Sequence, residues 1–223
     1  MNMIPSKSQY ALINSFPRSG STFLHSALDK HKAQFTFVEE NEDYLDRFCT
    51  LHTASIPHAI ENPAIKTISI LRDPYDAITS LIYTKFKHIG MQEFRQTDIN
   101  FYSNLYIEFT TAIENMKGAD NFIGIDFNEM IEDPSAVCER IINKFNMYRS
   151  NPSKISNENL MILIKEQMIQ DGQVSSETRG PVEVSFLPEK KDPLRNTISA
   201  LVKESKKDID PAFKAYKKAL KSI

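Results

Sequence analysis

Arg18, Ser19, Ser21 and Thr22 surround Gly20 within five residues, and one cation among three hydroxyls at this spacing suits an oxyanion. The segment from Ala11 to Leu24 reads as a buried β-strand entering a short polar loop that opens a helix. The loop N–H groups and the positive end of that helix converge on one point, which favours a phosphate or sulfate group. Taken alone, Pro17-Arg18-Ser19-Gly20 also reads as an ordinary turn with a Ser/Thr helix cap. A second set of residues has the same character. Arg72 ends the apolar, β-branched run Ala64–Leu71, Pro74 stands where its missing N–H needs no partner at a helix start, and Ser80 follows two helical turns later. Arg72 and Ser80 can thus face one ligand.

Neither loop suits ordinary nucleoside triphosphate chemistry. A nucleotide P-loop reads G-x-x-x-x-G-K-[ST], with a lysine for the terminal phosphates and a hydroxyl for Mg²⁺. Here Ser15 to Thr22 has one glycine, no Gly-Lys pair, and its only cation before the glycine. Hydrolysis of ATP or GTP is disfavoured.

These loops need strands that end side by side. Strand-like segments at 10–15, 34–38, 66–71 and 121–127 alternate with helix-like segments at 20–31, 41–48, 74–88, 100–117 and 134–147, the pattern of an α/β fold with a parallel sheet. Beyond it come a helix at 157–170, a polar loop at 171–192 carrying Pro181 and Pro188, and a charged helical tail running through Ser205 to Ile223. At 223 residues and 41% hydrophobic, the chain is long enough for one domain with a substantial core, burying roughly 70–75% of its unfolded surface. The net charge of −2 provides no global field for nucleic acid, so any phosphate site must be local. The amphipathic stretch Lys203–Lys221 reads as a solvated face. Cys49 and Cys138 form neither a ligand cluster nor a disulfide framework. With no apolar run of signal-peptide or membrane-spanning length, the expected location is the cytoplasm.

The segment Phe16-Pro-Arg-Ser-Gly-Ser-Thr-Phe-Leu24 resembles the 5′-phosphosulfate loop of sulfotransferases that use 3′-phosphoadenosine 5′-phosphosulfate (PAPS), written P-[KR]-[ST]-G-[ST]-[ST]. Arg72-Asp-Pro-x-Asp-x-x-x-Ser80 resembles their 3′-phosphate site, and Asn121–Pro134 is similar to their Tyr-Glu-Asp-Leu-x-x-Asp-Pro element. The resemblance spans about residues 8–147. It implies a P-loop NTPase-like, three-layer α/β/α fold with a central parallel sheet and a helical C-terminal region of about 155–223. It also implies PAPS as donor and the bisphosphate PAP as product, with no required metal. Arg18, Ser19, Gly20, Ser21, Thr22 and Phe23 would form the 5′ site and Arg72 with Ser80 the 3′ site. Phe127 would border the adenine, where it keeps the apolar contact of the family's tyrosine without the hydroxyl. Near the C-terminus relatives bring an Arg-Lys-Gly loop onto the 3′-phosphate, and Arg179 of Glu177-Thr-Arg-Gly180 is the nearest match, with Arg195 competing. The loop at 171–192 is then expected to close over donor or acceptor.

Sulfuryl transfer also needs a base for the acceptor's proton. Many cytosolic relatives use the histidine of a Lys-Thr-His strand, and Thr50-Leu51-His52 occupies a comparable place, with Thr50 where the lysine stands. An imidazole suits proton removal near neutrality. In the tyrosylprotein type a glutamate after the first helix does this work, and Phe35-Thr-Phe-Val-Glu39-Glu40 matches that position. Both readings stay open, with Arg18 also expected to stabilise the leaving oxygen. His25, His31, His58 and His88 read as structural, and none has zinc-ligand spacing with another ligand. The acceptor class is open among small molecules, carbohydrates, lipids and peptides, and the aromatics Tyr44, Phe48, Phe86, Phe94, Phe101 and Tyr102 fall in the segments expected to face it. The alternatives are a weakly active or inactive PAPS- or PAP-binding protein of the same fold, and an ATP-dependent small-molecule kinase.

Overall fold

The computed structural model describes residues 10–31, 33–34, 36–37, 65–89, 96–149, 155–170 and 193–223. The expected helix at 41–48, the loop at 171–192, and Glu39, Glu40, His52 and Arg179 lie outside the described residues.

The elements follow in the order β1 (Tyr10–Ile13), α1 (Ser21–Lys30), β2 (Ala33–Gln34), β3 (Thr36–Phe37), β4 (Ile65–Leu71), α2 (Pro74–Ile89), α3 (Gln96–Asn115), β5 (Phe122–Asp126), α4 (Phe127–Glu132), α5 (Pro134–Phe145), β6 (Tyr148–Arg149), α6 (Asn157–Gln170), α7 (Pro193–Glu204) and α8 (Lys206–Leu220). Among the described residues, four strands pair in the order β3-β1-β4-β5, all parallel, while β2 and β6 form a separate antiparallel pair. Because β1 has β3 on one side and β4 on the other, the strand order reverses beside β1. In an open parallel sheet that reversal creates a crevice at the carboxyl ends of the strands. The register pairs Ile13 with Ile68, and the Asn14 N–H extends the ladder by donating to the Ile68 carbonyl at 2.8 Å. β4 runs three residues further, to Leu71, so the loop after β1 passes beside the last residues of β4 before Arg72 leaves it.

Alternation along the strands sends apolar side chains into two clusters. Leu71 and Phe122 join Phe16 and the buried faces of α2, α3, α7 and α8. Ile68, Ile70 and Ile125 join Phe23, Leu24, Ala27 and Leu28 of α1, Met130 of α4, and residues of α5 and α6. Both clusters include side chains with no exposed surface, among them Tyr106, Phe109, Leu24 and Ile68. The sheet that carries the two loops is thus packed on both faces.

Two of the departures from expectation follow from a local hydrogen bond that outweighs the apolar pattern. The strand expected at 121–127 ends at Asp126, whose carboxylate accepts from the Asn128 N–H at 3.0 Å and caps α4. Phe127 is consequently the first residue of a short helix. The expected tail is two helices, with Ser205 closing α7 through its N–H to the Leu201 carbonyl and opening α8 by accepting from the Asp208 N–H. The third helix begins at Gln96, four residues before the expected start, and the segment at 34–38 is split between β2 and β3.

Candidate anion site at the ends of β1 and β4

The loop after β1 is shaped for close approach of an anion. Arg18 has φ 68° and Gly20 has φ 93°, so two left-handed residues flank Ser19, whose N–H donates to the Phe16 carbonyl at 3.2 Å. Such alternation turns successive N–H groups inward. Gly20 is also the N-cap of α1, and no side chain caps that helix end, so its first N–H groups keep their capacity for a ligand. Glycine is required at 20 by conformation and by space. A Cβ there would stand 2.7 Å from Met130 Cε and 3.0 Å from Phe127 Cε2.

Arg72 leaves β4 directly against this loop. Its Nη1 donates to the Arg18 carbonyl at 2.7 Å, and its guanidinium lies over the Phe127 ring at 4.4 Å. Its own carbonyl accepts from the Tyr106 hydroxyl at 2.5 Å. Asp73 fixes the next turn, its carboxylate accepting from the Tyr75 N–H at 2.8 Å, and burial raises its pKa above the usual carboxylate value. Ser80 is buried two turns along α2, where its carbonyl accepts from the Thr84 hydroxyl at 2.8 Å.

Arginine charges meet at the strand ends, where Asp76 and Asp73 oppose them at Arg72. Burial lowers the pKa of Arg18, and the charge of Arg195 on α7 lowers it further. Burial is likewise the main cause lowering Arg72, opposed by Asp76 and reinforced by Arg195 and Arg18. Arg195 thus bears on both Arg18 and Arg72, and Arg18 on Arg72, a repulsion that an anion at the strand ends would relieve. Ser19 Oγ and Arg72 Nε are buried with no hydrogen-bond partner, an uncommon condition for polar atoms in a folded protein. A phosphate- or sulfate-bearing ligand fits that donor set.

The structure therefore brings Arg18, Ser19, Gly20, Ser21 and Arg72 to neighbouring strand ends, with Thr22 exposed on the first turn of α1 and Phe23 buried beneath it. Phe127 joins them with its ring beneath Arg72 and beside Gly20. Tyr106 was not legible as part of this set. It sits on the apolar face of α3, and its polar partner is 34 residues earlier in the chain. Of the aromatics expected near the acceptor, Tyr102 packs in the core, Phe86 lies partly buried against it and Phe101 is exposed, while Tyr44, Phe48 and Phe94 lie outside the described residues. Among the described residues, no group of three His, Cys, Asp or Glu side chains could hold a metal ion, and no helix is long and apolar enough to cross a membrane.

Comparison with known structures identifies the same fold. A retinol dehydratase solved with androsterone and inactive cofactor PAP matches at a TM-score of 0.53 and 13% identity, over 94% of this chain and 82% of that one. A second retinol dehydratase structure, in a complex with retinol and PAP, matches at 0.50 and 12%, with the same coverage. No curated protein matches the sequence. The family profile described as the sulfotransferase domain matches residues 40–173, more than half of the chain. With two arginine-bearing loops at adjacent ends of a parallel sheet and a family profile running through the second of them, this chain belongs to the sulfotransferase domain family.

Proposed function

We propose that this protein transfers a sulfuryl group from PAPS to a hydroxyl or amine of its acceptor by in-line displacement, on a three-layer P-loop-type scaffold. The observation that carries the reading is the hydrogen bond from Arg72 to the Arg18 carbonyl, which joins two loops suited to opposite ends of one nucleotide. PAPS supplies the activated sulfuryl group. Arg18, the loop N–H groups and the hydroxyls of Ser19, Ser21 and Thr22 hold its 5′ end and neutralise charge developing on the departing phosphate oxygen. Arg72 and Ser80 take the 3′-phosphate and distinguish this donor from ordinary adenine nucleotides. Arg195 adds positive charge to the same region and is preferred here to Arg179 as the C-terminal contribution. His52 is the first choice for the base that accepts the acceptor's proton, and Glu39 or Glu40 the second.

Calorimetry with adenosine 3′,5′-bisphosphate and adenosine 5′-phosphate tests the donor site. The bisphosphate should bind more tightly, and Arg72→Ala should abolish most of the difference. Equal affinities in the unaltered protein would refute the two-pocket reading. Labelled-donor transfer to panels of phenols, steroids, sugars, lipids and peptides then tests turnover; bisphosphate binding without transfer to any acceptor favours a binding protein of this fold. His52→Ala should slow turnover by about 10²- to 10⁴-fold with bisphosphate affinity retained. Full activity in that variant transfers the role to Glu39 or Glu40, to be separated by their glutamine variants.

A further inference from the structure

The two anion loops meet a common neighbour that is part of neither. Tyr106, in the middle of α3, has no exposed surface. Its ring packs edge-on against Phe16 with centroids 4.9 Å apart, and Phe16 belongs to the first loop, where its carbonyl accepts from the Ser19 N–H. Its hydroxyl donates to the carbonyl of Arg72, the residue that opens the second loop. Arg72 returns to the first loop through its bond to the Arg18 carbonyl. The contacts close a circuit from Phe16 to Tyr106 to Arg72 to Arg18.

A phenol suits that place for a definite reason. The Arg72 carbonyl lies where β4 has ended, and left unpaired in a buried setting it would carry a desolvation cost. Paired to a hydroxyl on a rigid ring with few torsions, it fixes the backbone from which the guanidinium projects. Phe109, on the next turn of α3, packs near both Phe16 and Tyr106, so the ring has little room to turn. From the other side, α3 is fastened to α8 by the Ser103 hydroxyl, which donates to the Asp208 carbonyl at 2.6 Å.

We propose that Tyr106 is a positioning residue that sets the separation and relative orientation of the 5′ and 3′ phosphate sites. It acts through the backbone of Arg72 on one side and the ring of Phe16 on the other, without touching the nucleotide. The inference rests on the donor reading above and extends it to a residue outside both loops.

The test compares adenosine 3′,5′-bisphosphate with adenosine 5′-phosphate by calorimetry on the intact protein, the Tyr106→Phe variant, and Tyr106→Phe combined with Arg72→Ala. Tyr106→Phe keeps the ring against Phe16 and removes only the hydroxyl. Bisphosphate affinity should fall about fivefold to tenfold, the scale of one buried hydrogen bond, while 5′-phosphate affinity changes less than about twofold. In the Arg72→Ala background, removal of the hydroxyl should have no further effect on the bisphosphate. A purely structural tyrosine would lower the melting temperature and leave the ratio of the two affinities unchanged, and that result overturns the proposal. Should Tyr106→Phe not fold, Phe16→Leu probes the other end of the circuit; unchanged affinity for both nucleotides there also overturns it. Failure of the unaltered protein to distinguish the nucleotides is a different result, which refutes the donor reading itself.

Discussion

Arg18 combines two costs that folding alone would avoid. A non-glycine residue in the left-handed region costs about 1–2 kcal/mol, and Arg18 also places a buried guanidinium in the field of Arg195. Strain and like charge at one loop are features that ligand sites retain at the expense of stability, and they support the donor reading proposed above. Gly20 makes the point testable, because its Cβ position is filled by Met130 Cε and the Phe127 ring. Met130 can rotate its terminal methyl away, but the Phe127 ring supports Arg72 from below and cannot move without moving the guanidinium. Gly20→Ala should therefore cost about 1–3 kcal/mol of stability through backbone strain and overpacking, and should weaken the bisphosphate more than the 5′-phosphate. Thermal unfolding and the paired titrations read the two effects separately. Intact discrimination between the nucleotides, with only the melting temperature lowered, would show that Phe127 does not couple Gly20 to Arg72.

The secondary-structure elements show which parts of this arrangement sequence can carry. The Arg18 and Arg72 loops were legible because each follows an apolar strand and each feeds a helix start marked by glycine or proline, all within a few residues. The apolar run through Phe127 reads as strand in the sequence, whereas Asp126 ends that strand with a side-chain cap whose choice depends on local geometry. Tyr106 was illegible because an aromatic residue on an apolar helical face looks the same whether or not its hydroxyl has a distant partner. The helix that follows α4 offers a cleaner case of local encoding. Asp133 accepts from the Ala136 N–H at 2.9 Å, Pro134 occupies the first position, and Asn146 takes the left-handed C-cap. That hydrogen bond and one from Asn157 lower the Asp133 pKa below its model-peptide value of 3.8. A carboxyl held lower in the folded state than in the unfolded chain stabilises the protein above pH 3.8, and this contribution is lost as pH falls through the folded-state value. In Asp133→Asn the amide oxygen still accepts from Ala136 while its charge is absent at every pH. Melting temperatures measured across the acid range should consequently fall less steeply below about pH 4 in this variant. Parallel acid profiles would place the pH sensitivity elsewhere. The exposed Arg140–Glu129 pair, bidentate at 2.7 Å, should matter less, since surface pairs are typically worth under about 1 kcal/mol.

Across the whole molecule, the site depends on contacts made late in the chain. The helix α8 buries Ile209, Ala212, Tyr216 and Ala219 and is held to the α2 start by the Tyr75 hydroxyl, which donates to Asp210 at 3.0 Å. It is held to α3 by Lys218 donating to Glu114 and by Ser103 donating to the Asp208 carbonyl. Ile223 then reaches β5, where it packs on Gly124 so closely that a Cβ on Gly124 would overlap it. Gly124 lies two residues before Asp126, the cap that places Phe127 under Arg72. A glycine in the interior of a parallel strand usually marks such a close approach, and here its partner is 99 residues away by sequence number. Gly124→Ala should cost about 1–3 kcal/mol by overpacking, lowering the melting temperature by roughly 2–4 °C for each kcal/mol in a chain of this size. Ile223→Ala should cost less, because that side chain is already 42% exposed. If overlap with Ile223 is the cause, adding Ile223→Ala to Gly124→Ala should recover part of the lost stability, leaving a coupling of at least about 0.5 kcal/mol between the two sites. Simple additivity in that cycle would mean that Gly124 is glycine for its own backbone and not for the residue packed against it.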